Sequence, residues 1–319
     1  MTMNINKLLE KMLPFITPAA VAAGVFFADY LVSYTFLVPW IFALMTFAGS
    51  LSSNFSSLKK AIINPLPLLA ALLILHLLMP LWAFGIGSLL FPDDGLTVTG
   101  LILGMVIPTG ITSFVWVSIY KGNIELALSI ILIDTILSPF VVPASLSVFA
   151  GKKVEIDTGD IMIGLLLMVV IPSLVGMFLN HITGGRVKES LGSKLQPFTK
   201  IGIGIVVAIN SAAVAPFLRK VDLKLIGIGM TVCFIAIGGY AFAWLLAKTL
   251  KMDRNTKVSL IFTGGMRNIS TGAVIAVHYF PAAVAVPVVI GMLFQQILAS
   301  LFGMILAKWE VRKETQRAA

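Results

Sequence analysis

Two charged residues lie deep inside hydrophobic segments of this chain, Asp134 in the first half and Arg267 in the second. By the span assignment given below, the other charged side chains all fall at segment ends or in short connectors. A charge at the centre of a bilayer costs roughly 2.5–3.5 kcal/mol even on the lenient insertion scale, so it is usually paired or lines a polar cavity. The two residues therefore indicate a polar site at mid-depth in a membrane.

Two hydrophobic segments are interrupted, by Pro108-Thr-Gly-Ile-Thr-Ser113 and by Thr263-Gly-Gly-Met-Arg-Asn268. A break inside a membrane helix exposes backbone groups at mid-depth. The N-terminal ends of the half-helices favour anions, and the C-terminal ends offer carbonyls to cations. This mixture suits an organic anion together with a small cation. The residues we predict to contact the anion are Thr109, Thr112, Arg267, Asn268, Ser270 and Thr271.

The composition is that of a membrane protein. Hydrophobic residues make up 58% and charged residues 12%, against about 25% charged residues in a typical soluble domain. Uncharged runs of spanning length recur, so we predict an all-α polytopic fold with residues 1–319 in one membrane domain. The ten expected transmembrane helices lie at about 13–31, 36–54, 63–91, 96–120, 124–149, 159–180, 200–217, 223–247, 257–280 and 283–307.

The distribution of basic residues predicts the orientation. With ten spans, 17 Lys and Arg residues fall on the side that holds both termini and 5 on the other. The positive-inside rule then places both termini in the cytoplasm, in a cell membrane. The net charge of +9 thus reflects the membrane surface and does not indicate a nucleic-acid partner. The single cysteine, Cys233, excludes an intrachain disulfide and a multi-thiolate metal site.

The two halves of the chain, 1–150 and 151–319, look like inverted repeats of five helices each. Phe55-Ser-Ser-Leu-Lys-Lys follows the second span, and Phe217-Leu-Arg-Lys-Val-Asp-Leu follows the seventh. The interruptions fall in the fourth and ninth spans, at matching places. Paired interruptions of this kind are the best sequence indication of a transporter binding site. We therefore expect spans 4 and 9 to be broken and to cross near mid-membrane.

The chain resembles the bile acid:sodium symporter family over nearly its whole length. The matching segments are Met79-Pro80, Pro108-x-Gly-x-x-Ser113, Lys121-Gly122-Asn123, Leu137-Ser138-Pro139 and Gly265-Met-Arg-Asn268. The resemblance implies a core domain of spans 3–5 and 8–10 and a panel domain of spans 1, 2, 6 and 7. It also implies transport of an organic anion, such as a bile acid, ketopantoate or a similar carboxylate, commonly with sodium as the coupling ion and without another cofactor.

The resemblance also implies an altered first sodium site. Ser113 and Ser138 match ligands of that site, whereas Phe114 stands where the family has a ligand Asn. Thr263 stands at the Glu that both sites share, and Asp134 stands at a small hydroxyl ligand. One carboxylate is therefore lost and another is gained. We predict that a coupling cation binds near Ser113, Asp134, Ser138 and Thr263.

At the position that the resemblance assigns to the second sodium site, this chain carries a fixed positive charge. Arg267 stands where a Gln is expected, and Leu75 stands at another Gln, with His76 beside it. An arginine is effectively always charged and cannot leave during a transport cycle as a sodium ion does. We therefore expect at most one coupling cation. Further candidates for the polar site are His76, Gln295 and Gln296.

Several alternatives remain open from the residues alone. Asp134 and Arg267 could form a structural ion pair, and breaking such a pair typically costs about 3–5 kcal/mol. The carrier could be coupled to a proton, or not coupled at all. A channel would need a continuous polar pathway, and a membrane enzyme would need convergent titratable groups. The confined polar zone favours a secondary transporter over both.

Overall fold

The computed structural model describes residues 15–52, 65–149 and 157–318, with side chains up to residue 309. Within these residues the fold is helical throughout, apart from turns, connectors and one isolated bridge between extended residues. The helices are α1 (Phe15–Phe26), α2 (Ala28–Ser50), α3 (Pro65–Leu90), α4 (Gly95–Val106), α5 (Ser113–Ile119), α6 (Ile124–Phe149), α7 (Thr158–Ile182), α8 (Lys188–Ala213), α9 (Ala215–Leu218), α10 (Leu223–Thr249), α11 (Arg254–Gly265), α12 (Ile269–Tyr279) and α13 (Ala282–Ala318).

Seven of the described helices are long and apolar enough to cross a membrane, namely α2, α3, α6, α7, α8, α10 and the part of α13 up to Trp309. They span 23 to 28 residues each. At 1.5 Å per residue this is about 35–42 Å, more than the hydrocarbon core of about 30 Å requires. Many large apolar side chains point outward from the bundle, as Phe26 and Leu89 do. The protein is therefore a polytopic helical membrane protein. The count of ten spans and the inverted repeats stay predictions.

The chain folds back on itself between α1 and the later part of α2. Ile16 of α1 and Met45 of α2 pack against neighbouring glycines of α8, Gly204 and Gly202. A continuous helix would separate Ile16 from Met45 by about 43 Å, so the chain must reverse between them. The reversal lies near the tightly wound stretch Val32–Leu37, inside α2. Phe15–Phe26 and Val38–Ser50 consequently stand side by side along α8.

Contacts between connectors define the two ends of the bundle. At one end, Asp94 at the start of α4 pairs with Lys224 at the start of α10, at 2.7 Å. At the other end, Arg254 donates hydrogen bonds to the carbonyls of Tyr120 and Lys121. We call these the Asp94 end and the Lys121 end. With the ten spans predicted from the sequence, Lys121 and Arg254 fall on the side of the membrane that holds both termini, and Lys224 falls on the other.

Some predicted features lie outside the described residues. They are the connector Phe55-Ser-Ser-Leu-Lys-Lys60 that entered the repeat comparison, and the basic residues Lys7, Lys11, Lys152 and Lys153.

Candidate functional site

Both predicted interruptions are present, and they contact each other. Thr109 and Arg267 form an antiparallel bridge. Beside it the N–H of Gly110 donates to the carbonyl of Met266 at 3.3 Å, and the N–H of Asn268 donates to the carbonyl of Pro108 at 2.8 Å. The ends of four half-helices, α4, α5, α11 and α12, therefore meet at one place inside the bundle.

Local sequence explains why the helices break here. Pro108 has no backbone N–H and disfavours a helical conformation at the preceding residue, and Ile107 is indeed extended, with ψ of 149°. After α11, Met266 is also extended, with ψ of 136°. Asn268 then starts α12 as its N-cap, because its side chain accepts a hydrogen bond from the N–H of Thr271.

The guanidinium of Arg267 binds backbone carbonyls at the C-terminal ends of two half-helices. Its Nε donates to the carbonyl of Met105 at 2.9 Å, at the end of α4. Its Nη1 donates to the carbonyls of Gly264 and Met266, at the end of α11, at 3.0 and 3.4 Å. Helix C-termini carry partial negative charge, so a cation is stabilised there. The side chain is buried, and its Nη2 has no hydrogen-bond partner among the described residues.

Asp134 is fully buried in α6 and contacts a different part of the same centre. Its Oδ2 accepts a hydrogen bond from the backbone N–H of Thr109 at 2.6 Å. Its Oδ1 lies 2.9 Å from Nε2 of His76, which belongs to a π-helical turn in α3, Ile74–Leu78. Within the described chain Asp134 thus pairs with His76 and not with Arg267. The structural ion pair considered from the sequence is not formed, because main-chain carbonyls hold the guanidinium.

The hydroxyl groups at the centre fall into two kinds. Thr109 donates to the carbonyls of Thr263 and Met266, at 2.7 and 3.0 Å, and so links the interruptions. Ser138 and Thr263 donate to carbonyls of their own helices. The hydroxyl of Ser113 is buried without a partner in the described residues. Two of the predicted cation-binding residues, Thr263 and Asp134, are therefore connected by hydrogen bonds through Thr109.

A cavity of about 380 Å³ extends from this centre toward the Lys121 end. Thr112, Asn268 and Ser270, three of the residues that the sequence predicted to contact an anion, line it. Arg267, Gln295 and Gln296 also line it, whereas Thr109 and Thr271 are buried behind the cavity wall. Gln295 accepts a hydrogen bond from the backbone N–H of Arg267 and Gln296 accepts one from the indole of Trp116.

A larger groove of about 660 Å³ lies elsewhere, between α1 and α13. Its lining is apolar apart from Arg219, and it contains none of the residues that meet at the interruptions. We therefore place the candidate site in the smaller cavity, which Arg267 lines.

The profile of the sodium bile acid symporter family matches residues 39–220 of the chain, more than half of its length. The chain belongs to this family. It is 54% identical to the uncharacterized protein YbaS of Bacillus subtilis, over 96% of this chain and 100% of that protein. It is 25% identical to the uncharacterized sodium-dependent transporter YocS of the same organism, over 88% of each chain. A rice chloroplast protein, the probable sodium/metabolite cotransporter BASS1, is 28% identical over 76% of this chain and 59% of that protein.

Membership in the sodium bile acid symporter family fits a transport site better than a catalytic one. The names of the family and of these relatives describe transporters, not enzymes. In the described part of the chain no three His, Cys, Asp or Glu side chains form a metal-binding group. The buried groups bind main-chain atoms instead.

The family resemblance did not identify the opposite wall of the cavity. That wall is formed by Thr199, Ile203 and Val207, which follow one another at a spacing of four residues along one face of α8. Trp116 on α5 and Thr17 on α1 also contribute. Helical periodicity could have grouped the α8 residues, but a periodic apolar face does not say which helix it contacts.

Proposed function

We propose that this protein is a secondary transporter of a small organic anion, coupled to at most one sodium ion. The observation that carries the proposal is the meeting of four half-helix ends at a buried polar centre beside a cavity of about 380 Å³. Irregular backbone at membrane depth is tolerated where it lies within protein or lines a cavity, and transporters place their binding sites there.

The proposed fold has ten transmembrane helices in two inverted repeats, residues 1–150 and 151–319. Helices α4 and α5 are the two pieces of one interrupted span, and they correspond to α11 and α12, the two pieces of the other. Core and panel domains follow as the family resemblance implies. We place the cavity mouth on the cytoplasmic side of the cell membrane, since the cavity extends toward the Lys121 end, where the positive-inside rule puts the cytoplasm.

The anion is proposed to bind at the start of α12. The first N–H groups of a helix lack partners within the helix and carry partial positive charge. Asn268 and Ser270 flank this end, and Thr112 lines the same cavity. The guanidinium of Arg267 is already bound by carbonyls, so it contributes through its charge, which is felt strongly in a site of low dielectric constant.

The coupling cation is proposed to bind near Asp134. Relatives whose names include sodium-dependent transport support sodium. The carboxylate of Asp134 and the unpartnered hydroxyl of Ser113 are oxygen ligands of the kind that sodium accepts, with Ser138 and Thr263 as neighbours in the proposed site. The carbonyls at the ends of α4 and α11, by contrast, already hold Arg267. A second mobile cation therefore has no place there.

Proton coupling is the second candidate, because His76 lies 2.9 Å from Asp134. Histidine is the side chain that ordinarily titrates near neutral pH. Arg267 interacts electrostatically with Asp134, and also with Tyr240. In this alternative a proton shared by His76 and Asp134 replaces sodium as the driving ion.

Purified protein tests the proposal in two steps. A thermal-shift screen against small organic acids, with sodium or choline as the counter-ion, identifies a ligand, since a ligand that binds only the folded state raises its stability. Uptake of that ligand into proteoliposomes is then measured against sodium at fixed pH, and against pH without sodium. We expect uphill uptake with a Hill coefficient near one for sodium.

Other outcomes separate the alternatives. A Hill coefficient clearly above one contradicts single-cation coupling. Uptake driven by pH alone supports the proton, and uptake that responds to neither gradient indicates an uncoupled carrier. Equilibration that only follows the solute gradient indicates a channel, and chemical change of the solute indicates an enzyme.

A further inference from the structure

Asn210 is one of several buried polar side chains in the described chain that the site above does not explain. Asn210 of α8 has no exposed surface, and neither its Oδ1 nor its Nδ2 has a hydrogen-bond partner among the described residues. Buried amides are almost always hydrogen bonded within the protein, because burial removes the water that would otherwise bond to both groups. An unpaired one therefore calls for a role in another state of the molecule.

The position of Asn210 relates it to the cavity. Ile203 and Val207 of α8 line the cavity, and Asn210 follows them by seven and three residues. These spacings put all three side chains on one face of the helix, within about 60° of one another, with Asn210 about 4.5 Å beyond Val207. Asn210 therefore continues the cavity wall past its closed end, toward the Asp94 end.

A helix that contacts α8 also carries a buried polar side chain without a described partner. α12 contacts α8, and its Thr271 is fully buried with a hydroxyl that also lacks a described partner. Ser270, the preceding residue, lines the cavity. Ser211 also lacks a partner, but it packs against Gly24 of α1 and so faces away from α12. Unpaired polar groups thus occur on both α8 and α12.

We propose that Asn210 contacts the substrate in the half of the pathway that is closed in this conformation. The inference rests on the proposed transport function, in which the cavity opens alternately to the two sides. A carboxamide both donates and accepts hydrogen bonds, so it matches a hydroxyl, carbonyl or amide group. The substrate is then an anion that carries a second hydrogen-bonding group beside its carboxylate, and not a plain alkyl acid.

Cysteine accessibility tests this without a known substrate. In a Cys233→Ser background, Asn210→Cys, Ile203→Cys and Ser211→Cys are reconstituted and treated with sodium (2-sulfonatoethyl)methanethiosulfonate, a small anionic thiol reagent. Labelling is compared in membranes equilibrated with sodium and with choline. We expect Asn210→Cys to react, with a rate that differs at least fivefold between the two ions, and Ser211→Cys to react at least tenfold more slowly.

The outcomes separate this inference from the function on which it rests. Labelling of Ile203→Cys without labelling of Asn210→Cys in any condition overturns the inference and leaves the cavity assignment intact. If neither position reacts, the accessible cavity itself is wrong and both proposals fail. Asn210→Leu gives an independent reading, because removing an unpaired amide should leave the melting temperature unchanged or raise it. A clear fall would mean that the amide is already satisfied, and would overturn the inference.

Discussion

At the scale of single residues, backbone carbonyls stabilise the charge of Arg267. Three carbonyls at the ends of α4 and α11 accept its hydrogen bonds, so a fixed positive charge lies at the point where two helix dipoles end. This explains how a full positive charge is tolerated in a buried position. It also predicts what its removal will do.

Arg267→Gln should destabilise the protein and make it more dependent on sodium. Each carbonyl left without a partner costs about 1–3 kcal/mol, and a sodium ion can replace part of the lost positive charge. Thermal unfolding in sodium and in choline chloride measures both effects. Arg254→Gln is the matched control, because Arg254 is exposed at the Lys121 end. A variant with wild-type stability and an unchanged sodium response would contradict the fixed-cation role.

His76 distinguishes the two coupling ions. Glutamine retains an N–H donor for Asp134 but cannot take up a proton. With sodium coupling, His76→Gln should keep uphill, sodium-driven uptake. Uptake in proteoliposomes with imposed sodium or pH gradients measures this. If the variant only equilibrates the solute, His76 carries the driving proton and the sodium proposal fails.

The buried centre was only partly predictable from sequence. Burial cost alone identified Asp134 and Arg267, and Pro108 predicted a break because it removes a backbone donor. The partners were not predictable, because the carbonyl of Met105 has no side-chain signal. Asn210 was missed for a related reason, since an uncharged amide within an apolar helix is common and its lack of a partner is visible only in the packed structure.

At the scale of helices, the two interruptions depend on close contact between backbones. A Cβ atom at Gly110 would lie 2.8 Å from the carbonyl oxygen of Arg267, closer than such atoms normally approach. Only glycine therefore allows the bridge between Thr109 and Arg267 to form. The contact also determines how α5 and α12 are placed around the cavity.

Gly110→Ala should lower stability and abolish transport, because backbone atoms cannot move aside as a flexible side chain can. Gly104→Ala is the control, since a Cβ there has nothing within 4 Å, and alanine in a helix is favoured over glycine by about 1 kcal/mol. Melting temperatures of the two purified variants should move in opposite directions. Equal melting temperatures would contradict the close packing of the interruptions.

Asp94, at the start of α4, should make the stability of the protein depend on pH. Burial acts to raise the pKa of Asp94, but hydrogen bonds from Lys224 and Thr97 outweigh it and hold the pKa below the ordinary value of 3.8. A carboxyl with a lowered folded-state pKa stabilises the fold above its unfolded pKa, and this stabilisation is lost as pH falls through the folded value. Asp94→Ala also removes the N-cap, which is worth about 1 kcal/mol.

We therefore expect Asp94→Ala to melt at a lower temperature than wild type at pH 7 and to approach it near pH 3. The neighbouring exposed residue serves as control, since Asp93→Ala should change neither melting temperature nor its pH dependence. A loss for Asp94→Ala that is constant from pH 7 to pH 3 would assign the whole effect to the cap and none to the charge.

At the scale of the whole molecule, the cavity lies toward the Lys121 end, and Asn210, which lies beyond it on α8, is fully buried. One contact joins α7 to α12, where a Cβ at Gly164 would overlap the hydroxyl of Tyr279. Because α12 begins at the buried centre and ends at Tyr279, separating it from α7 would open the half of the bundle that contains Asn210.

Gly164→Leu should therefore shift the protein toward the opposite conformation. A wedge that disfavours only the closed state changes the populations by as much as it destabilises that state. In the Cys233→Ser background, the variant should raise the labelling rate of Asn210→Cys severalfold and lower that of Ile203→Cys. Gly85→Leu is the control, because a Cβ at Gly85 has nothing within 4 Å. Rates that rise together at both positions would indicate loosening of the fold instead of alternating access, since alternating access requires one half to close as the other opens.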